Sequence, residues 1–224
     1  MNEAIALEGL ERRYGDRPAL RGVSISVAEG QTLAVFGANG AGKTTLLRVL
    51  ATLLRPHAGS VSILGASLPG EAWKVRGRVG FLGHEPLVYP DLTPRENLRF
   101  HARLHGVAAA RVEELLGAVG LERRAGDPVR ELSRGMVQRL AVARAVLHDP
   151  AVLLLDEPRA GLDPAAAEEL EPLIGRASGR TRVLVTHDVE RGLGEADAVL
   201  GLRAGAAELA GGRAAAAEVR RLYS

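Results

Sequence analysis

The stretch Thr32-Leu33-Ala34-Val35-Phe36-Gly37-Ala38-Asn39-Gly40-Ala41-Gly42-Lys43-Thr44-Thr45-Leu46-Leu47-Arg48-Val49-Leu50 decides the fold of this chain of 224 residues. Its first five residues are an apolar run suited to a strand, and its last five carry helix-type sequence. Between them lies a match to G-x-x-x-x-G-K-[ST], in the strand-before, helix-after setting that the motif requires. The glycines permit backbone conformations closed to other residues, so several N–H groups can point at one anion. The stretch therefore predicts nucleotide binding by Gly37, Asn39, Gly40, Ala41, Gly42, Lys43, Thr44 and Thr45. Lys43 is expected at the β- and γ-phosphates, the Thr44 hydroxyl on Mg2+, and Thr45 at the α-phosphate.

Working outward, apolar runs rich in β-branched residues occur at Val23–Val27, Val61–Leu64, Val79–Leu82, Ala151–Leu155, Val183–Thr186 and Ala198–Leu202, and they read as strands. The runs at 151–155 and 183–185 are apolar at consecutive positions, as parallel strands covered on both faces require. Helical sequence falls near 43–53, 95–104, 109–119, 135–147, 165–177, 189–195 and 213–222. Such alternation predicts an α/β fold with a P-loop NTPase core. Residues 3–28 read as antiparallel strands, a small β subdomain. Residues 88–148 interrupt the alternation with helices alone and predict a helical subdomain inserted in a single 1–224 domain. The Ala-rich tail at 206–217 reads as a hairpin and a helix of little chemical content.

The run Val152-Leu153-Leu154-Leu155 ends in adjacent carboxylates, Asp156 and Glu157. Consecutive strand residues point opposite ways, so the two acids are expected to do different jobs. Asp156 is placed to hold Mg2+, and Glu157 to polarise a water for in-line attack on the γ-phosphate. About twenty residues earlier, Leu132-Ser133-Arg134-Gly135-Met136 opens a helix with a Ser-x-Gly turn, a second surface of N–H and hydroxyl groups suited to an anion.

The phosphate loop, the Leu-Ser-Arg-Gly-Met segment, Asp156-Glu157, Gly161-Leu162-Asp163 and Thr186-His187-Asp188 stand in one order and spacing. Taken together they resemble the ATPase subunits of ABC transporters over nearly the whole chain. The resemblance implies that two copies pair head to tail on binding ATP, with each ATP held between one phosphate loop and the partner's signature. It implies that Ser133 and Gly135 reach the ATP of the other copy and that Asp163 lies at the dimer seam. It also puts Lys43, Glu157 and His187 at the reacting phosphate, and stacks Tyr14 on the adenine. Two departures stand out. Arg134 and Met136 replace the usual Gly and Gln of the signature. The segment Gly83-His84-Glu85-Pro86 lacks the Gln that couples the site to a membrane subunit, which leaves that work to His84 or Glu85. The stretch 83–100 and the wording of 132–141 are similar to the haem-exporter ATPases of cytochrome c maturation. The related ATPases of drug, lipid or polysaccharide exporters are the alternative.

Composition bounds the remaining classes. A net charge of +2 gives little electrostatic footprint for nucleic acid, so no such partner is expected. The chain has neither the tandem domains nor the coiled-coil insertion of soluble ABC ATPases that act on ribosomes or DNA. A P-loop kinase would leave Ser133, Asp163 and His187 without roles. There is no cysteine, which fits a reducing compartment. No apolar run approaches the roughly 18 residues needed to span a bilayer. Met1-Asn2-Glu3-Ala4 lacks a charged-then-apolar signal pattern. The expected location is the cytoplasmic face of a membrane, held there by integral membrane subunits. Of 29 basic residues only Lys43 and Lys74 are lysines, which makes a lysine in the phosphate loop conspicuous.

Overall fold

Alternating apolar residues at Leu20, Val23, Ile25 and Val27 bury one face of β2 (Arg17–Ala28) against the core. This strand pairs antiparallel with β1 (Glu3–Tyr14) through a tight turn at Gly15 and Asp16. The computed structural model describes residues 2–223; Met1 and Ser224 lie outside the described residues. Next come β3 (Thr32–Phe36), buried at every residue, and α1 (Lys43–Leu50). They are followed by β4 (Ala58–Ile63), β5 (Ala66–Leu68), α2 (Ala72–Val75) and β6 (Val79–Leu82). Three helices then run without a strand between them: α3 (Pro94–His105), α4 (Ala109–Ala118) and α5 (Arg134–Val146). The alternation resumes with β7 (Val152–Asp156), α6 (Pro164–Glu169), α7 (Glu171–Ile174), β8 (Thr181–Val185) and α8 (Val189–Glu195). The described chain closes with β9 (Ala198–Arg203), β10 (Ala206–Gly211) and α9 (Ala216–Arg220).

These strands form two sheets. One is antiparallel, in the order β2-β1-β4-β5. The other runs β10-β9-β3-β8-β7-β6 and is parallel except at its β10 edge. Both faces of the parallel sheet are covered. Val152 and Leu154 of β7 join the core around α1 and the antiparallel sheet, whereas Leu153 and Leu155 join the core beneath α3, α4 and α5. A third cluster packs Ala34, Phe36 and Val199 under Val219 and Leu222.

Sequence expectations hold for the strand runs and for most helices, with informative differences. The helix expected over 165–177 is two short helices, α6 and α7, divided at Leu170. Pro172 cannot supply a helical N–H and clashes with the carbonyl four residues back, so it begins a new helix instead of continuing the old one. The helix expected from 95 starts at Pro94 because Thr93 closes a capping box with Glu96. The three-residue β5 and four-residue α2 carry too little periodicity to be read from sequence.

At β6 the sheet meets α5 so closely that a Cβ on Gly80 would lie 2.3 Å from the Ala145 carbonyl oxygen and 2.8 Å from Leu153 Cδ2. Gly80→Ala should therefore destabilise the fold by about 1–3 kcal/mol through overpacking, read as a lowered denaturation midpoint at unchanged slope.

Candidate functional site

The phosphate loop is held in its shape from both sides. Gly37, Gly40 and Gly42 have φ of 146°, 80° and 110°, conformations that disfavour any side chain. A Cβ on Gly37 would lie 2.2 Å from Leu202 O in β9, and one on Gly42 would lie 2.5 Å from Ala19 O in β2. The loop is thus wedged between the two sheets. Further bonds tie the same place together: Arg21 N donates to Gly205 O at 2.8 Å, and Gly205 N donates to Ala41 O at 3.1 Å. Gly42 caps α1 with no side-chain bond, so the first-turn N–H groups of that helix receive no side-chain acceptor there.

Lys43 begins α1 and is 8% exposed. Its ammonium donates to the carbonyls of Gly37 and, at 3.0 Å, Ala38. Burial lowers its pKa, while the charges of Asp156 and Glu157 work the other way. The Thr44 hydroxyl donates to Asp156 Oδ2 at 3.1 Å, although 112 residues separate the two. Asp156 is buried at the last position of β7.

Glu157 corrects the expectation of simple strand alternation. The strand ends at Asp156, and Glu157 has φ 50°, a left-handed backbone rare for a residue with a side chain. Its N–H donates to Val185 O, and its carbonyl accepts from Ala160 N, both at 3.0 Å. This twist, and not the pleat, gives the two carboxylates different neighbours, Thr44 for Asp156 and His187 for Glu157. Glu157 Oε1 is buried with no hydrogen-bond partner and lies 3.5 Å from His187 Nε2. Burial, assisted by the charge of Asp156, raises the Glu157 pKa above its ordinary 4.5, against the opposing pull of His187 and Lys43. His187 is exposed, at the end of β8, where Asp188 caps α8 by accepting from Arg191 N at 3.0 Å.

These residues share one cleft of ≈ 670 Å³. Among the expected residues Tyr14, Asn39, Gly40, Gly42, Lys43, Thr44, Thr45, Asp156, Glu157, His187 and His84 line it. Tyr14 is 46% exposed, with the Arg12 guanidinium 5.3 Å from its ring centroid. Gly37 and Ala41 do not line the cleft; they shape the loop, and the Ala41 N–H is engaged by Ala38 O at 3.1 Å. Of the two candidates left open between β6 and α3, His84 faces the cleft and Glu85 does not.

Ser133, Gly135 and Asp163 also lie outside the cleft. Ser133 caps α5 by accepting from Met136 N, and Asp163 caps α6 by accepting from Ala166 N at 2.9 Å. Both are exposed, and Gly135 sits against Gly161, whose carbonyl oxygen would be 3.3 Å from a Cβ at 135. Arg134 shares a small recess with His84, Asp156 and Glu157.

Sequence reasoning missed Arg17, Pro18 and Ala19, which line the cleft beside Tyr14. Their closeness to the β1–β2 turn was the only available signal. It also missed Tyr223, which follows the Ala-rich tail at 206–217. The Gly37 N–H donates to the Tyr223 hydroxyl at 3.4 Å, and the Tyr223 ring lies 6.1 Å from that of His187. No local pattern announces a contact spanning 186 residues.

The donor set suits a hard divalent cation held with phosphate. Thr44 and Asp156 supply two adjacent oxygens at the loop, and no group of three or more His, Cys, Asp or Glu among the described residues forms a cage for a metal. Mg2+ is commonly held in this way, by few protein ligands together with substrate phosphates and water.

Comparison with known proteins gives a consistent picture. The family model described as ABC transporter matches residues 20–160. Nod factor export ATP-binding protein I of Ralstonia nicotianae is 43% identical over 194 residues, covering 83% of this chain and 60% of that protein. Daunorubicin resistance ATP-binding protein DrrA3 of Streptomyces coeruleorubidus is 44% identical over 188 residues, with 82% and 60% covered. The chain thus spans about 60% of the length of these curated relatives. Among solved structures, the dimeric post-hydrolysis ATP-binding cassette MJ0796 with ADP and Pi superposes with a TM-score of 0.83 at 27% identity, over 94% of this chain and 99% of that one.

The charges around Glu157 make a directional prediction. Followed by carboxyl NMR, Glu157 should titrate above 4.5, and Asp156→Asn should move its midpoint down. His187→Ala should move the midpoint up.

Proposed function

The chain belongs to the ABC transporter family, and from that premise we propose that it binds ATP with Mg2+ and hydrolyses it to drive export by a membrane partner. The observation that carries this reading is the single cleft joining the phosphate loop, Asp156, the half-buried carboxylate of Glu157 and His187. The loop N–H groups and Lys43 bind the phosphates, and Tyr14 takes the adenine face. Lys43 already rests its ammonium on the carbonyls of Gly37 and Ala38, so nucleotide meets a cation fixed in place. Thr44 and Asp156 would hold Mg2+, which supplies charge neutralisation on the β- and γ-phosphate oxygens.

Glu157 accepts a proton from the attacking water. The new P–O bond forms as the bond from the γ-phosphorus to the β-phosphate oxygen breaks, leaving ADP and phosphate. A carboxylate raised in pKa by burial is a better base than an exposed one. His187, 3.5 Å from Glu157, lies where it can hold the γ-phosphate and the water. Oriented N–H groups and Lys43 stabilise charge without moving, which is where most of the barrier lowering arises.

Ser133, Gly135 and Asp163 are exposed or half-exposed and lie outside their own cleft, so they complete the site of a second copy. The solved dimeric relative with ADP and Pi supports that pairing. Leu87, Tyr89, Phe100 and Leu104 are large exposed apolar side chains, and the Tyr89 and Phe100 rings pack edge-on at 5.3 Å. They offer a surface for the membrane subunit next to His84. For the cargo, the relatives named for Nod factor export and daunorubicin resistance favour a drug, lipid or polysaccharide exporter. They lend no support to the haem-export expectation. Purifying the chain with its native membrane subunits and identifying those subunits tests the assignment, and a ribosome or DNA complex in their place would overturn it.

Glu157→Gln should bind ATP but lower turnover at least ~100-fold and accumulate an ATP-bound dimer, read by steady-state kinetics and size-exclusion chromatography. Wild-type turnover in that variant would remove Glu157 from its role. Ser133→Arg should abolish hydrolysis while the monomer still binds nucleotide. Loss of monomer binding would argue that Ser133 serves its own cleft.

A further inference from the structure

Behind the turn that carries Glu157 lies a ring of bonds that nucleotide binding does not use. Arg182, immediately before the apolar run that begins at Val183, is the second residue of β8 and is 1% exposed. Its Nε and Nη2 donate to Thr32 Oγ1 at 3.1 and 2.8 Å, and its Nη1 donates to Ile174 O at 3.2 Å and Glu195 Oε2 at 2.7 Å. The other oxygen of Glu195 lies 3.3 Å from Arg159 Nη2, which also donates to Glu171. Arg159 stands two residues after Glu157, in a turn closed by the Ala160 N to Glu157 O bond. From Glu157 the path returns through its N–H to Val185 O, three residues beyond Arg182 on the same strand. The circuit from Arg182 through Glu195, Arg159, Glu157 and Val185 back to Arg182 is closed. It surrounds a cavity of ≈ 210 Å³ lined by Glu157, Arg159, Arg182, Thr186 and Glu195.

A fully buried guanidinium needs a matched carboxylate, so Arg182 fixes where Glu195 sits. Glu195 ends α8, the helix that starts beside His187. Arg159 ties that helix end to the Glu157 turn. A left-handed backbone at a residue with a side chain persists only where its surroundings over-determine it, and this ring supplies the constraint.

We infer that Arg159 and Glu195 are positioning residues that lock the Glu157 turn and the His187-bearing segment into one arrangement. The inference rests on the hydrolytic reading above. Neither residue lines the nucleotide cleft; they keep Glu157 and His187 at their mutual distance, where small displacements of a reacting group cost rate steeply.

The test uses the full chain, with ATP turnover measured against ATP concentration, thermal melting alongside, and the same changes repeated in a Glu157→Gln background. Arg159→Met should lower kcat about tenfold with KM within about twofold, and Arg159→Lys should recover part of the loss. In the Glu157→Gln background Arg159→Met should cost well under that tenfold, because the carboxylate it positions is gone and only His187 is left to misplace. If Arg159→Met fails to fold, Arg159→Lys keeps a cation beside Glu195 and carries the same expectations at smaller size. An unchanged kcat in a folded variant overturns the inference, as does an equal loss in the Glu157→Gln background. The hydrolytic reading fails separately: it falls if Glu157→Gln turns over at the wild-type rate, whereas slow Glu157→Gln with normal Arg159→Met sinks the positioning role alone.

Discussion

The close approach of backbone to backbone at the phosphate loop is the constraint on which the rest of this structure depends. Leu202 O from one sheet and Ala19 O from the other come within the space that a methyl group on Gly37 or Gly42 would need. The loop is therefore a shared edge of both sheets, and its glycines are fixed by packing as well as by φ. The rest of the site is measured from that wedge. Thr44 meets the end of β7, the Lys43 ammonium lies on the loop's own carbonyls, and the β1–β2 hairpin brings Tyr14 to the mouth of the cleft.

Charge chemistry divides cleanly between the two kinds of basic residue. Arginine performs the geometric work: Arg95 pairs bidentately with Glu113, and Arg182 uses its fork to join Thr32, Ile174 and Glu195. Exposed pairs such as Arg95–Glu113 add little to stability, since water and salt screen them. The buried set is different, because removing one partner strands a charge away from water. At the loop a compact ammonium is required in place of a fork, and there the chain retains one of its two lysines.

Much of this was readable in the sequence, for physical reasons that also mark where reading stopped. The runs at 152–155 and 183–185 disclosed strands covered on both faces, because burial on both sides leaves no polar alternation. The loop was readable because its chemistry demands residue types at fixed spacing. Other features depend on contacts distant in the chain. Glu157 is twisted by its bond to Val185, which nothing in Leu155-Asp156-Glu157-Pro158 announces. Arg182 in an apolar strand makes sense only once Thr32 and Glu195 are beside it. Tyr223 reaches the phosphate loop through a bond spanning 186 residues. The break between α6 and α7 is written locally, in Pro172.

The order of strands in the parallel sheet has a consequence for the birth of the molecule. The strand that feeds the phosphate loop, β3, pairs only with β8 and β9, which lie some 150 residues later in the chain. A ribosome that has made the whole phosphate loop has therefore made a strand with two open edges and no neighbour. Long-range pairing of this kind is slow, and unpaired apolar edges invite misassociation while it is awaited. The nascent chain carries its most chemically decisive segment without its sheet neighbours until residues near 200 emerge. Synthesis from the N-terminus thus makes the nucleotide cleft a late event, and a truncated product retains the motif without the pocket.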